Sequence, residues 1–144
     1  MLAPISSWIA IRGLVDMATP LTIGAAVLFW VAGFDILYAC QDADFDRQAK
    51  LHSIPARLGV PGSLRLAFIS HLTMLALLVV LYLVTPELGT VYLVGIGATA
   101  ALLLYEHWLV RPDDLTRINR AFFQVNAVVS VGLLLLVLAQ LAVN

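Results

Sequence analysis

An all-α, multi-pass transmembrane bundle is the fold class that the sequence predicts, and three observations predict it. Of the 144 residues, 62% are hydrophobic and 12% charged, about half the charge of an ordinary globular domain. Mean hydropathy is +0.98, so too little polar surface remains to cover a water-facing body and lipid must solvate most of the chain. Apolar runs of about twenty residues recur, each long enough at roughly 1.5 Å per residue to cross a hydrocarbon core of about 30 Å. The length suits one membrane domain over residues 1–144. A net charge of −1 excludes a nucleic-acid binder of the basic kind. The single cysteine, Cys40, excludes an intrachain disulfide framework and a Cys-rich metal site.

Taken in order, residues 1–11 are apolar but too short to span, and they lack the basic segment and small-residue cleavage site of a signal peptide. They read as the tail of a helix that begins outside this sequence. The first full span covers residues 20–39, with Thr19 as N-cap, Pro20 at the first helical position and no charge before Asp35. A cap loop at about residues 43–61 follows. The second span, 62–84, holds Arg65 and His71 near its start, and the third, 91–110, holds Glu106 and His107 near its end. The fourth, 121–143, carries no charge. Gly95, Gly97 and Ala98 permit close helix contact, and Asn126, seven residues after Asn119, suits an interhelical hydrogen bond. Asp113 and Asp114 read as the cap of a short helix before the last span. His71 reads as hydrogen-bonded, Glu106 and His107 as headgroup contacts, and His52 and His107 lack partners at metal-ligand spacing.

Lysine and arginine set the orientation. Arg47, Lys50 and Arg57 lie between the first two spans with Arg65 at the edge of that segment, and Arg111, Arg117 and Arg120 lie between the last two. Only Arg12 lies on the other side, so the count is seven against one of the 8 basic residues. The positive-inside rule therefore predicts that both long loops are cytoplasmic, in the inner (cytoplasmic) membrane, with the C-terminus outside.

The chemistry concentrates at the end of the first span, in G-F-D-I-L-Y-A-C-Q-D-A-D-F-D-R-Q-A-K. On a helix turning about 100° per residue, with Asp35 at zero, Asp42 falls near −20° and Asp46 near +20°. Those three carboxylates share one narrow stripe, bordered by Tyr38 at about −60°, while Asp44 points away. An acid as deep as Asp35 is costly in a bilayer and should face a protein interior or a water-filled cavity. Asp42 and Asp46, at i and i+4, can present two carboxylates to one hard divalent ion such as Mg²⁺. A bland account, in which solvated acids at a helix end pair with Arg47 and Lys50, covers Asp44 but leaves Asp35 unexplained.

The run D-I-L-Y-A-C-Q-D-A-D-F-D-R, followed by L-H-S-I-P-A-R-L-G, resembles the second aspartate-rich motif and cytoplasmic cap of the UbiA-type intramembrane aromatic prenyltransferases. L-Y-E-H-W-L-V-R-P-D-D-L and R-A-F-F-Q-V-N-A also look like the 4-hydroxybenzoate polyprenyltransferase branch, with its relatives in the futalosine route to menaquinone. The resemblance implies a nine-helix fold around a central cavity, of which this chain is the second half. It implies Mg²⁺-dependent transfer from a polyprenyl diphosphate to an aromatic acceptor, 4-hydroxybenzoate or a dihydroxynaphthoate, in ubiquinone or menaquinone biosynthesis. Asp42 and Asp46 would be metal ligands, with Asp35 just beneath them. Lys50 and Arg57 would hold diphosphate oxygens, and Tyr38 would border the substrate. The family's first motif, N-D-x-x-D-x-x-x-D, does not occur in the sequence, so half the metal site is expected from a missing N-terminal half and little activity from this chain alone.

Two readings compete. A CDP-alcohol phosphotransferase also uses D-x-x-x-D but needs a D-G and A-R pair where this chain has Y-A-C-Q before Asp42. A non-enzymatic ion-transport subunit would use Asp35 as an ion site and should show a broken helix or an inverted repeat.

Overall fold

The computed structural model describes all residues except Met1, Asp113, Asn119, Arg120 and Asn144. It is helical, with no strand among the described residues. In chain order the helices are α1 (Leu2–Arg12), α2 (Ala18–Ala39), α3 (Ala43–Gln48), α4 (Ile54–Val84), α5 (Thr90–Leu109) and α6 (Asn126–Val143). A 3₁₀ turn, Cys40–Asp42, joins α2 to α3, and one π-helical turn, Ala121–Val125, leads into α6. Four stretches are long and apolar enough to cross a membrane: Ala18–Gln48, Ile54–Val84, Thr90–Leu109 and Phe123–Gln140. The chain is an integral membrane protein with the helical-bundle class expected from its sequence.

The observed boundaries differ from the expected ones for local reasons. Met17 rather than Thr19 precedes α2 and gives no side-chain cap. The segment expected as a cap loop, 43–61, is mostly helical. α4 begins at Ile54 because Ser53 caps it, its Oγ accepting from the Ala56 N–H at 3.2 Å, with Pro55 in the first turn. Gly59 then breaks that helix with φ 68° and ψ 168°, a conformation open to glycine, and Pro61 restarts it. The uninterrupted part therefore starts close to residue 62, as the apolar run indicated.

Helix α2 lies along α4, and α5 packs on both α4 and α6. The core is two apolar clusters in series. One joins Ile36, Leu37 and Cys40 to Ala67, Leu109, Val110 and Ile118. The other joins Ala26 and Phe34 to Met74, Leu78, Leu103, Val125 and Val129. Gly95 is buried where α5 meets Leu136 of α6, as close packing required, whereas Gly97 has nothing within 4 Å of where a Cβ would stand. Asn126 hydrogen-bonds within its own helix, its Oδ1 3.4 Å from Ser130 Oγ, rather than to another helix. Asp113, Asn119 and Arg120 lie outside the described residues. Asp114 caps a turn instead of a helix: its carboxylate accepts from the Thr116 hydroxyl and N–H, and these bonds, with Arg117 and Arg111 nearby, hold it below the usual carboxylate range.

Candidate functional site

The aspartates occupy the face of α2 and its continuation that turns away from the bundle. Gly33, Phe34, Ile36, Leu37 and Cys40 are buried, while Leu28, Val31, Asp35, Tyr38, Asp42 and Phe45 are exposed. Those exposed residues recur at intervals of three and four, which is one face of a helix. Asp35 and Asp42 are exposed together, and Asp46 is half-buried. The 3₁₀ turn at 40–42 explains the difference, because winding three residues at about 120° rather than about 100° rotates helix α3 by up to about 60°. Among the described residues none of the three carboxylates forms a hydrogen bond or an ion pair. Arg47 is taken by Asp44, at 3.5 Å, on the solvated face assigned to Asp44 from the sequence.

The three do not gather around a point: among the described residues only His71, Glu106 and His107 bring three such donors within 4.8 Å of one another. The aspartate stripe is therefore a row along a helix and not a cluster around one point.

Lys50 follows this row in the chain, exposed and in an uncommon backbone conformation. Helix α3 ends in a Schellman motif, with Leu51 N–H donating to Asp46 O at 2.8 Å and Lys50 N–H to Arg47 O at 3.3 Å. The residue in the left-handed position, usually glycine, is Lys50 at φ 57°, which costs about 1–2 kcal/mol. Lys50 thus stands two residues past the end of α3 and four after Asp46. Arg57 is exposed in the first turn of α4. A cavity of about 680 Å³ lies at the other end of the bundle, among Trp8, Arg12, Thr19 and Thr85, remote from the aspartates.

A second polar cluster lies between α4 and α5. His71 of α4 and Glu106 of α5 are 1% and 0% exposed, so Glu106 cannot be a headgroup contact. His71 Nδ1 stands 3.0 Å from His107 Nε2 and 3.5 Å from Glu106 Oε2. The signal available in the sequence was only E-H one turn inside an apolar run; the partner is 35 residues away.

Residues 1–128 match the UbiA prenyltransferase family. A similar protein is the 4-hydroxybenzoate octaprenyltransferase of Marinobacter nauticus, 29% identical over 120 residues that make up 83% of this chain and 40% of the relative. The chain thus spans about 40% of the length of the curated relative it matches. No solved structure matches. With a family match over most of its length and an aspartate row on the open face of its first long helix, the chain belongs to the UbiA prenyltransferase family.

Proposed function

We propose that this chain contributes one wall of an intramembrane site that transfers a polyprenyl group from its diphosphate to an aromatic acceptor. The acceptor is 4-hydroxybenzoate, the substrate in the relative's name, with a dihydroxynaphthoate as the alternative. The observation that carries this reading is the exposed face of α2, where Asp35 sits among Leu28, Val31 and Tyr38 without a partner among the described residues. A carboxylate against acyl chains costs roughly 2.5–3.5 kcal/mol at the centre of a span and less toward its end, and Asp35 stands four residues before the end of α2. That face therefore borders a polar cavity. No opposing acidic motif occurs in the sequence, so the cavity is completed by a further segment bearing one.

Asp42 and Asp46 are the residues that would hold Mg²⁺, since unpaired carboxylate oxygens suit a hard cation that also takes phosphate oxygens. When bound, Mg²⁺ supplies neutralisation of the leaving diphosphate. Lys50 and Arg57 hold diphosphate oxygens from the cap, arginine bidentately. Tyr38 borders the prenyl chain and offers its ring to developing positive charge. The apolar surroundings keep water from the allylic cation, and the isoprenoid tail enters from the bilayer. The basic loops favour the cytoplasmic side of the inner membrane for this site. Such a role lies in ubiquinone or menaquinone biosynthesis.

The test is prenyl transfer to labelled 4-hydroxybenzoate in proteoliposomes, with the chain alone and with a co-expressed segment bearing an N-D-x-x-D motif. Little Mg²⁺-dependent product is expected from the chain alone, with turnover appearing in the pair and vanishing with Asp42→Asn. Turnover by the pair that survives Asp42→Asn sinks the reading. Competition between the two acceptors identifies the preferred one.

A further inference from the structure

We infer that His71, Glu106 and His107 form a binding site for a borderline divalent transition ion, Zn²⁺ or Fe²⁺, between α4 and α5. The site is separate from the aspartate row and independent of prenyl transfer.

The cluster sits at the junction of the two apolar cores, with Ala67 and Leu109 on one side and Met74 and Leu103 on the other. Such surroundings make each unmet polar atom costly, about 1–3 kcal/mol or more. Yet both carboxylate oxygens of Glu106 lack a normal hydrogen bond. One N–H on His71 Nδ1 cannot serve both His107 Nε2 at 3.0 Å and Glu106 Oε2 at 3.5 Å. Proton sharing within the triad therefore leaves at least one buried acceptor unserved. A cation taking one lone pair from each residue would serve His71 Nδ1, His107 Nε2 and a Glu106 oxygen at once, with no proton to share between them.

The donor spacing suits such an ion. Three ligands around a tetrahedral Zn²⁺, at about 2.0–2.1 Å each, stand roughly 3.3 Å from one another. The two separations from His71 Nδ1, 3.0 and 3.5 Å, bracket that value, and all three donors lie within 4.8 Å of one another, so an ion would draw the widest pair closer together. Two imidazoles and one carboxylate favour a transition ion over Mg²⁺ or Ca²⁺, which take oxygen. The rings are also held. His71 packs against Gly33 of α2, its ring centroid 4.8 Å from that of Phe34, and the His107 ring meets Phe68 edge-on at 5.0 Å. A preset orientation of this kind lowers the cost of binding. Access exists too, because a groove of about 490 Å³ between Arg65, Pro61 and Pro112 has His107 in its wall.

The experiment uses the 144-residue chain in nanodiscs, equilibrated with Co²⁺ and then Zn²⁺. The expected result is one Co²⁺ per chain, giving a visible d–d band that Zn²⁺ abolishes, with two imidazoles in the X-ray absorption of the Zn²⁺ form. Glu106→Gln and His71→Gln should each weaken Co²⁺ binding at least about tenfold, while Asp42→Asn keeps the band. The proposal falls if the wild-type chain binds less than one equivalent, or if X-ray absorption shows only oxygen ligands. It falls equally if the band is lost with Asp42→Asn. Because the first two readouts need only the unaltered chain, a variant that misfolds does not shield the idea.

Discussion

Helix α2 separates two polar clusters that differ in almost every physical respect. On its open side Asp35 and Asp42 are exposed and, with half-buried Asp46, strung along one helix without partners among the described residues. On its closed side the His71 ring presses on Gly33 and Phe34 and meets Glu106 and His107 from another helix. The first cluster contributes nothing to holding the bundle together and is free to serve chemistry. The second is wedged into the core, so whatever it binds also acts on packing. Function and stability should therefore separate along this helix.

The largest effect should come from the open side. Asp42→Asn or Asp46→Asn should lower prenyl transfer by the completed site roughly 100-fold or more. Unfolding stability in detergent should stay within about 0.5 kcal/mol for Asp42→Asn, at an exposed position. A large loss of stability would mean that the row is a structural element and would erase the contrast.

The closed side predicts the reverse. A Cβ on Gly33 would overlap the His71 ring, which cannot swing away because Phe34 and His107 flank it at centroid distances of 4.8 and 5.2 Å. Gly33→Ala should cost about 1–3 kcal/mol, the scale of overpacking a core, read as a lower denaturant midpoint. No loss would show that α2 is not clamped on the ring.

This contrast also marks what the sequence could convey. The four spans and the aspartate stripe were legible because each depends on one segment's own periodicity. Asp44 was assigned correctly to the solvated face for the same reason. Register within the stripe was less legible: the 3₁₀ turn at Cys40–Asp42 is a local tightening that pushes Asp46 partly inward. The His71–Glu106–His107 cluster was not legible, since it depends on how α4 slides against α5 across the 35 positions that separate His71 from Glu106. Nor was the left-handed Lys50, which a Schellman ending would assign to glycine.

Lys50 tests the open side more finely, because its backbone and its charge pull in opposite directions. Lys50→Gly removes the left-handed strain at φ 57° and should stabilise the chain by about 1 kcal/mol. It also removes the cation proposed to hold diphosphate oxygens and should lower prenyl transfer several-fold. Lys50→Ala should lower transfer equally without the gain in stability. Equal transfer by all three would leave Lys50 as a positive-inside anchor only.

The smallest effects should reproduce the open–closed contrast inside α5, where two glycines lie two residues apart on different faces. At Gly95 an added methyl would overlap Leu136 Cδ1 of α6, with Cδ2 at 2.8 Å and Cγ at 2.9 Å. A change of leucine rotamer relieves the Cδ overlaps but not the closeness of Cγ, so Gly95→Ala should cost about 1–2 kcal/mol, in the lower part of the overpacking range. At Gly97 nothing lies within 4 Å, and helix propensity alone acts, so Gly97→Ala should be neutral or stabilise by up to about 1 kcal/mol. Denaturant midpoints of the two variants should thus move in opposite directions or leave Gly97→Ala unmoved. If Gly97→Ala instead lost as much as Gly95→Ala, its face would be covered by another segment, and the open side of this bundle would extend from α2 to α5.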